Sequence, residues 1–586
     1  MASARTPLLA DSRRLSRDTD ELDEQDEADL QSGPHLTLRR LRGAVWTARL
    51  RETIIFIWAL LATAAVIVLA VWTQHQNQGS TPSSKPAGKR NLVFMVSDGM
   101  GPAPLSMTRS FRQLVDGLPH DDVLALDRHF WGTSRTRSSM SLITDSAAGA
   151  TAFSCGEKSY NGAISMLPDY TPCGTVLEAA KRAGYTTGLV VTTDVTDATP
   201  ACFASHVYFR AQNDEVALQE IGEGALGRVV DLIFGGGRCR FLPNSAEGSC
   251  RQDDINVAEI AQKKHGWTYV DNRAGFDDLW EGKNVSLPAL GLFARGDIPF
   301  EIDRRNMAHI YPSLSEMAAT ALKALEEATK DSDKGFFLMI EGSRIDHAGH
   351  INDPAAQVRE VLEYDKTFQA VVDFLDRSDT PGSLVATSDH ETGGLSVAYQ
   401  RPGELPVYGW HPSVLAKANA SSEYLNYLLN DHIESVTETS GSLKDWINKN
   451  LVIKSLGIEN ALDSELEALV SHPEAATTLF AAMVSRRARV GWSTHGHSAV
   501  DVNIYSSGGP GTDKIRGNVE NTEVGKFLRD YLDVDVDAIT EELKEKFDLE
   551  PPGAAEVEQL SAQLTVHPES WMAQQPSDSF SLADAF

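Results

Sequence analysis

The chain has 586 residues, 42% of them hydrophobic, so it can bury a sizeable core, and a large α/β enzyme with insertions can absorb most of its length. Its formal net charge of −29 excludes nucleic acid as a natural partner, because such binding draws its affinity from Lys and Arg neutralising phosphates. An enzyme with so acidic a surface also repels phosphorylated substrates, unless bound metal ions or similar positive charge are concentrated in its site.

In chain order, residues 1–52 are polar, with eight carboxylates between Asp18 and Asp29, which suits a disordered tail. Leu8-Leu9 followed by Asp11 has the form of a sorting signal read by trafficking adaptors. Thr53 to Trp72 is an uncharged run of twenty mostly apolar residues, long enough to cross a bilayer as a helix. It follows about fifty hydrophilic residues and has no small-residue cleavage site close behind it, so an uncleaved signal anchor is expected. Arg39, Arg40, Arg42, Arg49 and Arg51 crowd its N-terminal flank, whereas 73–84 carries no Lys or Arg. The positive-inside rule then keeps the N-terminus cytosolic, a single-pass type II topology, with the rest in a lumen or outside the cell. Residues 73–90, rich in Gly, Ser and Pro, read as a tether.

From Asn91 short apolar runs alternate with amphipathic segments, the pattern of an α/β fold on a largely parallel sheet. Buried strands are predicted at 92–96, 188–191, 229–234, 336–340 and 384–386. A helix is predicted over Thr175–Ala183, closed by Gly184. Residues 401–490 interrupt the alternation as an inserted, exposed subdomain within a catalytic region of 91–535, and 536–586 reads as an acidic peripheral tail. Cys155 and Cys173 are close in sequence, as are Cys239 and Cys250. Two short-loop disulfides with Cys202 free are expected in an oxidising compartment. Asn284-Val285-Ser286 and Asn419-Ala420-Ser421 are glycosylation acceptors by pattern.

Three predicted strands lead into a carboxylate: Asp98, Glu341 and Asp389. Ligand sites of open α/β sheets lie at the carboxyl ends of the strands, so these acids can converge. Asp346 and His350 stand four apart, on one face of a helical turn, Asp389 and His390 are adjacent, and His495 and His497 follow later. Mixed carboxylate and imidazole ligands suit zinc, and carboxylate with hydroxyl suits magnesium. In Thr144-Asp145-Ser146-Ala147-Ala148, Asp145 and Ser146 are both good N-cap residues, and a helix starting there offers N–H groups to an incoming phosphate. No G-x-S-x-G elbow surrounds Ser146, so a Ser/His/Asp esterase is not supported, and metal activation of the serine is the better route.

Ser97-Asp98-Gly99-Met100-Gly101, Thr144-Asp145-Ser146-Ala147-Ala148, Asp197-Ala198-Thr199-Pro200, Glu341-Gly342 with Asp346 and His350, Asp389-His390, and His497-Ser498-Ala499-Val500-Asp501-Val502 resemble, in order, the motifs of alkaline phosphatases. With its tail and anchor the chain is most similar to the fungal vacuolar branch of that family. The resemblance implies a three-layer sandwich around a mostly parallel sheet, with 401–490 as a crown-type insertion, a homodimer, and hydrolysis of phosphate monoesters through a phosphoserine at Ser146. It implies two zinc ions, one on Asp346, His350 and His497 and the other on Asp98, Asp389 and His390. Magnesium would take Asp98, Thr199 and Glu341, with Asp197 helping. Arg210 would clamp phosphate. His347 stands where the bacterial enzyme has a phosphate-facing lysine, which makes that substrate contact pH-sensitive and leaves the third metal's identity open. The spacing to Asp501-Val502 favours His497 over His495 as the last zinc ligand, and His206 reads as structural. A vacuole membrane with the catalytic part lumenal is implied, the cell surface being the alternative, and the acidic tail could be a propeptide. Sulfatases need a nucleophile in a C/S-x-P-x-R context that is absent, and a phosphodiesterase of the same superfamily is the nearest rival.

Overall fold

A computed structural model describes residues 50–69, 88–401, 403–436 and 439–547. Leu50–Leu69 is a 20-residue helix, α1, with mean hydropathy 2.3. At 1.5 Å per residue it is about 30 Å long, the thickness of a bilayer's hydrocarbon core. It starts three residues before the apolar run read from the sequence, and residues 70–72, the tail at 1–49 and most of the tether lie outside the described residues.

The rest of the chain is built on a ten-stranded sheet. In chain order its strands are β1 Asn91–Val96, β2 Phe130–Arg135, β3 Thr186–Asp194, β4 Leu232–Gly236, β5 Thr268–Val270, β6 Ala289–Leu292, β7 Phe336–Glu341, β8 Gly382–Thr387, β9 Val502–Ser506 and β10 Gly517–Glu520. Across the sheet they run β10-β2-β9-β8-β1-β7-β3-β4-β6-β5. Only β9 is antiparallel to its neighbours. Side chains alternate across a strand. Leu92, Phe94 and Val96 of β1 therefore enter one core with Phe153, Val176 and Phe527, while Val93 and Met95 enter another with Met317, Val361 and Phe368. Those partners lie on helices covering opposite faces, so the architecture is a three-layer α/β/α sandwich. Because both faces are buried, the central strands read as continuous apolar runs.

The five predicted strands correspond to β1, β3, β4, β7 and β8. β4 starts at Leu232 rather than Val229, because the Val229 carbonyl accepts from the Thr187 hydroxyl at 2.6 Å before the ladder begins. The predicted helix runs Val176–Arg182, capped by Thr175 and closed by Gly184 at φ +91°. Between β8 and β9 the chain forms helices such as Ser422–Ser435 and Ala476–Ala488. Their core includes Met107, Phe111, Phe300 and Ala348 of the sandwich. Disulfides join Cys155 to Cys173 and Cys239 to Cys250, and Cys202 is a buried free thiol. The acidic tail read from the sequence begins with a packed helix, Val536–Lys546, whose Ile539 and Leu543 bury against Ala179. Residues 548–586 lie outside the described residues.

Candidate active site

β8, β1 and β7 are adjacent and parallel, with Val96 in register with both Thr387 and Glu341. Neighbouring strands lie about 4.8 Å apart, so residues just past their carboxyl ends meet. Glu341 ends β7, while Asp98 and Asp389 stand two residues past β1 and β8. Gly99, at φ +75°, makes the turn after Asp98, and a Cβ there would lie 2.5 Å from the Asp346 Cα, so only glycine lets the two segments approach.

Ser146 opens helix α2, Ser146–Ser154, and Asp145 is its N-cap, accepting from the Ala148 N–H at 3.0 Å. Because Asp145 performs the capping, the Ser146 hydroxyl is left for other work. It is buried, and its Oγ lies 3.0 Å from His390 Nε2. Arg210 reaches over the same helix start: Nη2 donates to Asp197 Oδ1 at 2.7 Å and Nη1 lies 3.6 Å from Asp145 Oδ2. Asp197 in turn caps helix α3, Ala198–Ala204, which contains Thr199.

Asp346 and His350 lie on helix α4, Arg344–His350, with His350 Nε2 at 3.2 Å from Asp346 Oδ2. His497 arrives from the other side, because His497–Ser498 pairs antiparallel with Glu391–Thr392, next to Asp389 and His390. Its Nε2 is 3.0 Å from His350 Nε2 and 3.6 Å from Asp346 Oδ1, and its ring stacks on His390 at 3.5 Å. His495 instead aims Nδ1 at the His350 carbonyl, 2.7 Å away, and stays out of the cluster. His390 Nε2 lies 3.2 Å from Asp389 Oδ2 and 3.5 Å from Asp98 Oδ1.

Two triads have ligand atoms within 4.8 Å of one another: Asp98, Asp389 and His390, and Asp346, His390 and His497. The donor set fits metal ions on its own chemistry. Asp389 Oδ2 is buried without a hydrogen-bond donor, and imidazole nitrogens and carboxylate oxygens face each other where water is excluded. Such facing lone pairs need a cation between them. Burial pushes Asp346 toward neutrality, but the surrounding imidazoles of His350, His497 and His390 hold it well below the usual carboxylate range. Burial and neighbouring imidazoles push His497 well down, so both groups are in the deprotonated form that ligands require.

Glu341 is pushed up to about 8 by burial, against the Ser343 hydroxyl that donates to it at 2.7 Å, and the charges of Asp197 and Asp389 add to the rise. His347 Nδ1 lies 3.4 Å from Asp297 Oδ2. Burial alone would depress the imidazole, but Asp297 overrides it and brings the value to about 9. With that value the contact would lose its charge only as pH rises through about 9. His206 lies apart, buried between Glu178 Oε1 at 2.8 Å and the Ser165 carbonyl.

Three neighbours of the site carry no sequence signal. Asp297 follows β6 in a loop without a motif. Ser343 looks like any serine after a glycine. Thr392 donates to Asp346 Oδ1 and lies 3.2 Å from His390 Nδ1, linking the two histidine-bearing segments. Only its spacing of two from His390 could have marked it.

A parallel α/β sandwich that gathers carboxylates, imidazoles and a helix-start serine at its strand ends defines the architecture of a hydrolase with a donor set that could hold metal ions. The comparisons make the class specific. The family model described as Alkaline phosphatase matches residues 89–534. The repressible alkaline phosphatase of Saccharomyces cerevisiae is 52% identical over 477 residues, 78% of this chain and 84% of that protein. The alkaline phosphatase of Schizosaccharomyces pombe is 45% identical over 504 residues, 85% and 90% of the two chains. The crystal structure of Thermus thermophilus alkaline phosphatase superposes with a TM-score of 0.63 at 28% identity, covering 80% of this chain and 98% of that one. This chain belongs to the alkaline phosphatase family and is a phosphomonoester hydrolase.

Proposed function

We propose that the chain cleaves phosphate monoesters by phosphorylating Ser146 and then hydrolysing the phosphoserine, with two zinc ions and one magnesium in its site. Asp346, His350 and His497 would hold one zinc, Asp98, Asp389 and His390 the other, and Asp98, Thr199, Glu341 and Asp197 the magnesium. When bound, these ions supply positive charge that lowers the serine's pKa and neutralises the leaving oxygen. Ser146 Oγ forms a bond to phosphorus as the ester P–O bond breaks and the alcohol leaves. Water then attacks phosphorus, the Ser146 Oγ–P bond breaks, and inorganic phosphate departs. Arg210, braced by Asp145 and Asp197, offers a planar fork to two non-bridging oxygens, and the N–H groups at the start of α2 face the same charge. The His347 imidazolium adds a third positive group.

The observation that carries this reading is the Ser146 hydroxyl at 3.0 Å from His390, inside a cluster of ligand-type side chains. Acid quenching during turnover should trap about one phosphate per active chain on Ser146. Ser146→Ala should lose label and at least about 10³-fold in kcat. Exhaustive chelation should abolish turnover, and zinc with magnesium should restore it. An alanine variant that keeps full activity would sink the covalent route.

The reading extends to location: α1 anchors the chain as a single-pass type II protein with the catalytic body in the vacuole lumen, the cell surface being the alternative. The arginines before α1 and the acidic N-terminal tail with its dileucine support this. A homodimer and glycans on Asn284 and Asn419, both exposed, complete it.

A further inference from the structure

Behind the metal-ligand helix lies a second cavity of about 780 Å³, within the range of small-molecule sites. α4 separates the two: Asp346 and His350 point to the catalytic cluster, whereas Arg344 and Ile351, seven residues apart and so on one face, line the cavity. The opposite wall is helix α5, Ser422–Ser435, which presents Glu423, Tyr424, Tyr427, Asp431 and Glu434 at helical spacing.

The lining is strongly negative. Asp297, Asp303, Glu423, Asp431, Glu434 and Glu474 face a single guanidinium, Arg344. Arg344 is already engaged: it donates to Glu423 at 2.8 Å and to the Ile298 carbonyl at 3.1 Å, and its plane lies 3.7 Å over Phe300. Asp297 faces His347, and Glu474 faces His472 at 3.1 Å. Asp303, Asp431 and Glu434 have no ion-pair partner among the described residues. Asp303 is the telling one, for it is only 4% exposed and, among the described residues, its hydrogen bonds come from Ser421, whose N–H donates at 2.9 Å. Burial pushes its carboxyl up to about 7, against the Ser421 hydrogen bonds, so the fold holds a carboxyl here at a cost that a cation would offset.

We infer that this cavity is a binding site for an organic cation with two or more ammonium groups, such as an aliphatic polyamine. The unpaired acids are absent from the triads within 4.8 Å of one another, so they do not form a compact cage for a bare divalent ion. Asp431 and Glu434 lie along one face of α5, with Asp303 across the cavity, beside the stacked pair Tyr424 and Tyr427, whose ring centroids are 6.1 Å apart. Separated carboxylates with aromatic faces between them match ammonium groups spaced along an alkyl chain.

Equilibrium dialysis of the metal-loaded full chain against labelled spermidine, at physiological salt, tests this. Saturable binding of about one equivalent is expected, with butylamine at equal concentration failing to compete. The exposed double substitution Asp431→Asn/Glu434→Gln should weaken spermidine about tenfold, and Tyr427→Ala severalfold. The melting temperature and p-nitrophenyl phosphate turnover of these variants should stay at the wild-type values. Unchanged spermidine affinity in the double variant, non-saturable uptake, or equal competition by butylamine would overturn the inference and leave only counterion condensation on an acidic protein.

Discussion

The role proposed for Ser146 depends on what surrounds it. Asp145 takes the cap, His390 stands at its Oγ, and Arg210 covers the helix start. Arg210→Ala should cost about 10²-fold in kcat/KM, the scale of losing one preorganised donor, and Arg210→Lys should recover only part, because an ammonium cannot hold two oxygens in a plane. Steady-state kinetics on the two variants separates charge from geometry. His206 serves stability instead. Burial lowers its basicity, but Glu178 more than compensates, so its folded-state pKa is raised above 6.5. A raised histidine pKa stabilises fully below the unfolded value, and this contribution is lost as pH rises through the folded value. Urea melts of wild type and His206→Gln should therefore differ most below pH 6.5 and converge at alkaline pH.

At the scale of elements, the site depends on where strands stop. β8, β1 and β7 end in register, and each releases a carboxylate into the same layer, while the short pairing of His497–Ser498 with Glu391–Thr392 brings the last imidazole across. The last described helix, Val536–Lys546, belongs to the folded body: Leu543 is fully buried, and the Gly174 N–H donates to Thr540 at 2.8 Å. Leu543→Ala should destabilise by about 2–5 kcal/mol, as a large-to-small change in a packed site, with kcat unchanged. An unaltered denaturation midpoint would mean that this helix unfolds independently.

For the molecule as a whole, the apolar helix and the enzyme are separable tasks. Removing residues 1–87 should shift activity from the membrane pellet to the supernatant of a fractionated lysate while kcat stays within about twofold, since among the described residues no group of the site lies before Asp98. The charge of −29 makes the arrangement at the site more telling. Substrate anions approach an acidic surface, so the site needs local attraction, which on the proposed reading comes from Arg210, His347 and the ions the ligand cluster would hold.

Much of this was legible in the chain alone. Alternating apolar runs reported a buried parallel sheet, because strands covered on both faces carry mostly apolar side chains. The acids after 92–96, 336–340 and 384–386 pointed to the strand ends, and paired cysteines were close enough to be joined. What remained hidden depended on contacts between distant segments. Asp297 becomes the partner of His347 only when the loop after β6 folds over α4, and Thr392 bridges Asp346 and His390 only once two elements meet. His497, expected from its spacing to Asp501-Val502, reaches the cluster by a two-residue pairing too short to leave a periodic signal, and the acidic cavity exists only because α5 faces Asp303 across space. Local pattern thus determined the elements and their chemistry, while the tertiary structure decided which groups touch, since hydrogen bonds and charge pairs depend on distance in space and not on separation along the chain.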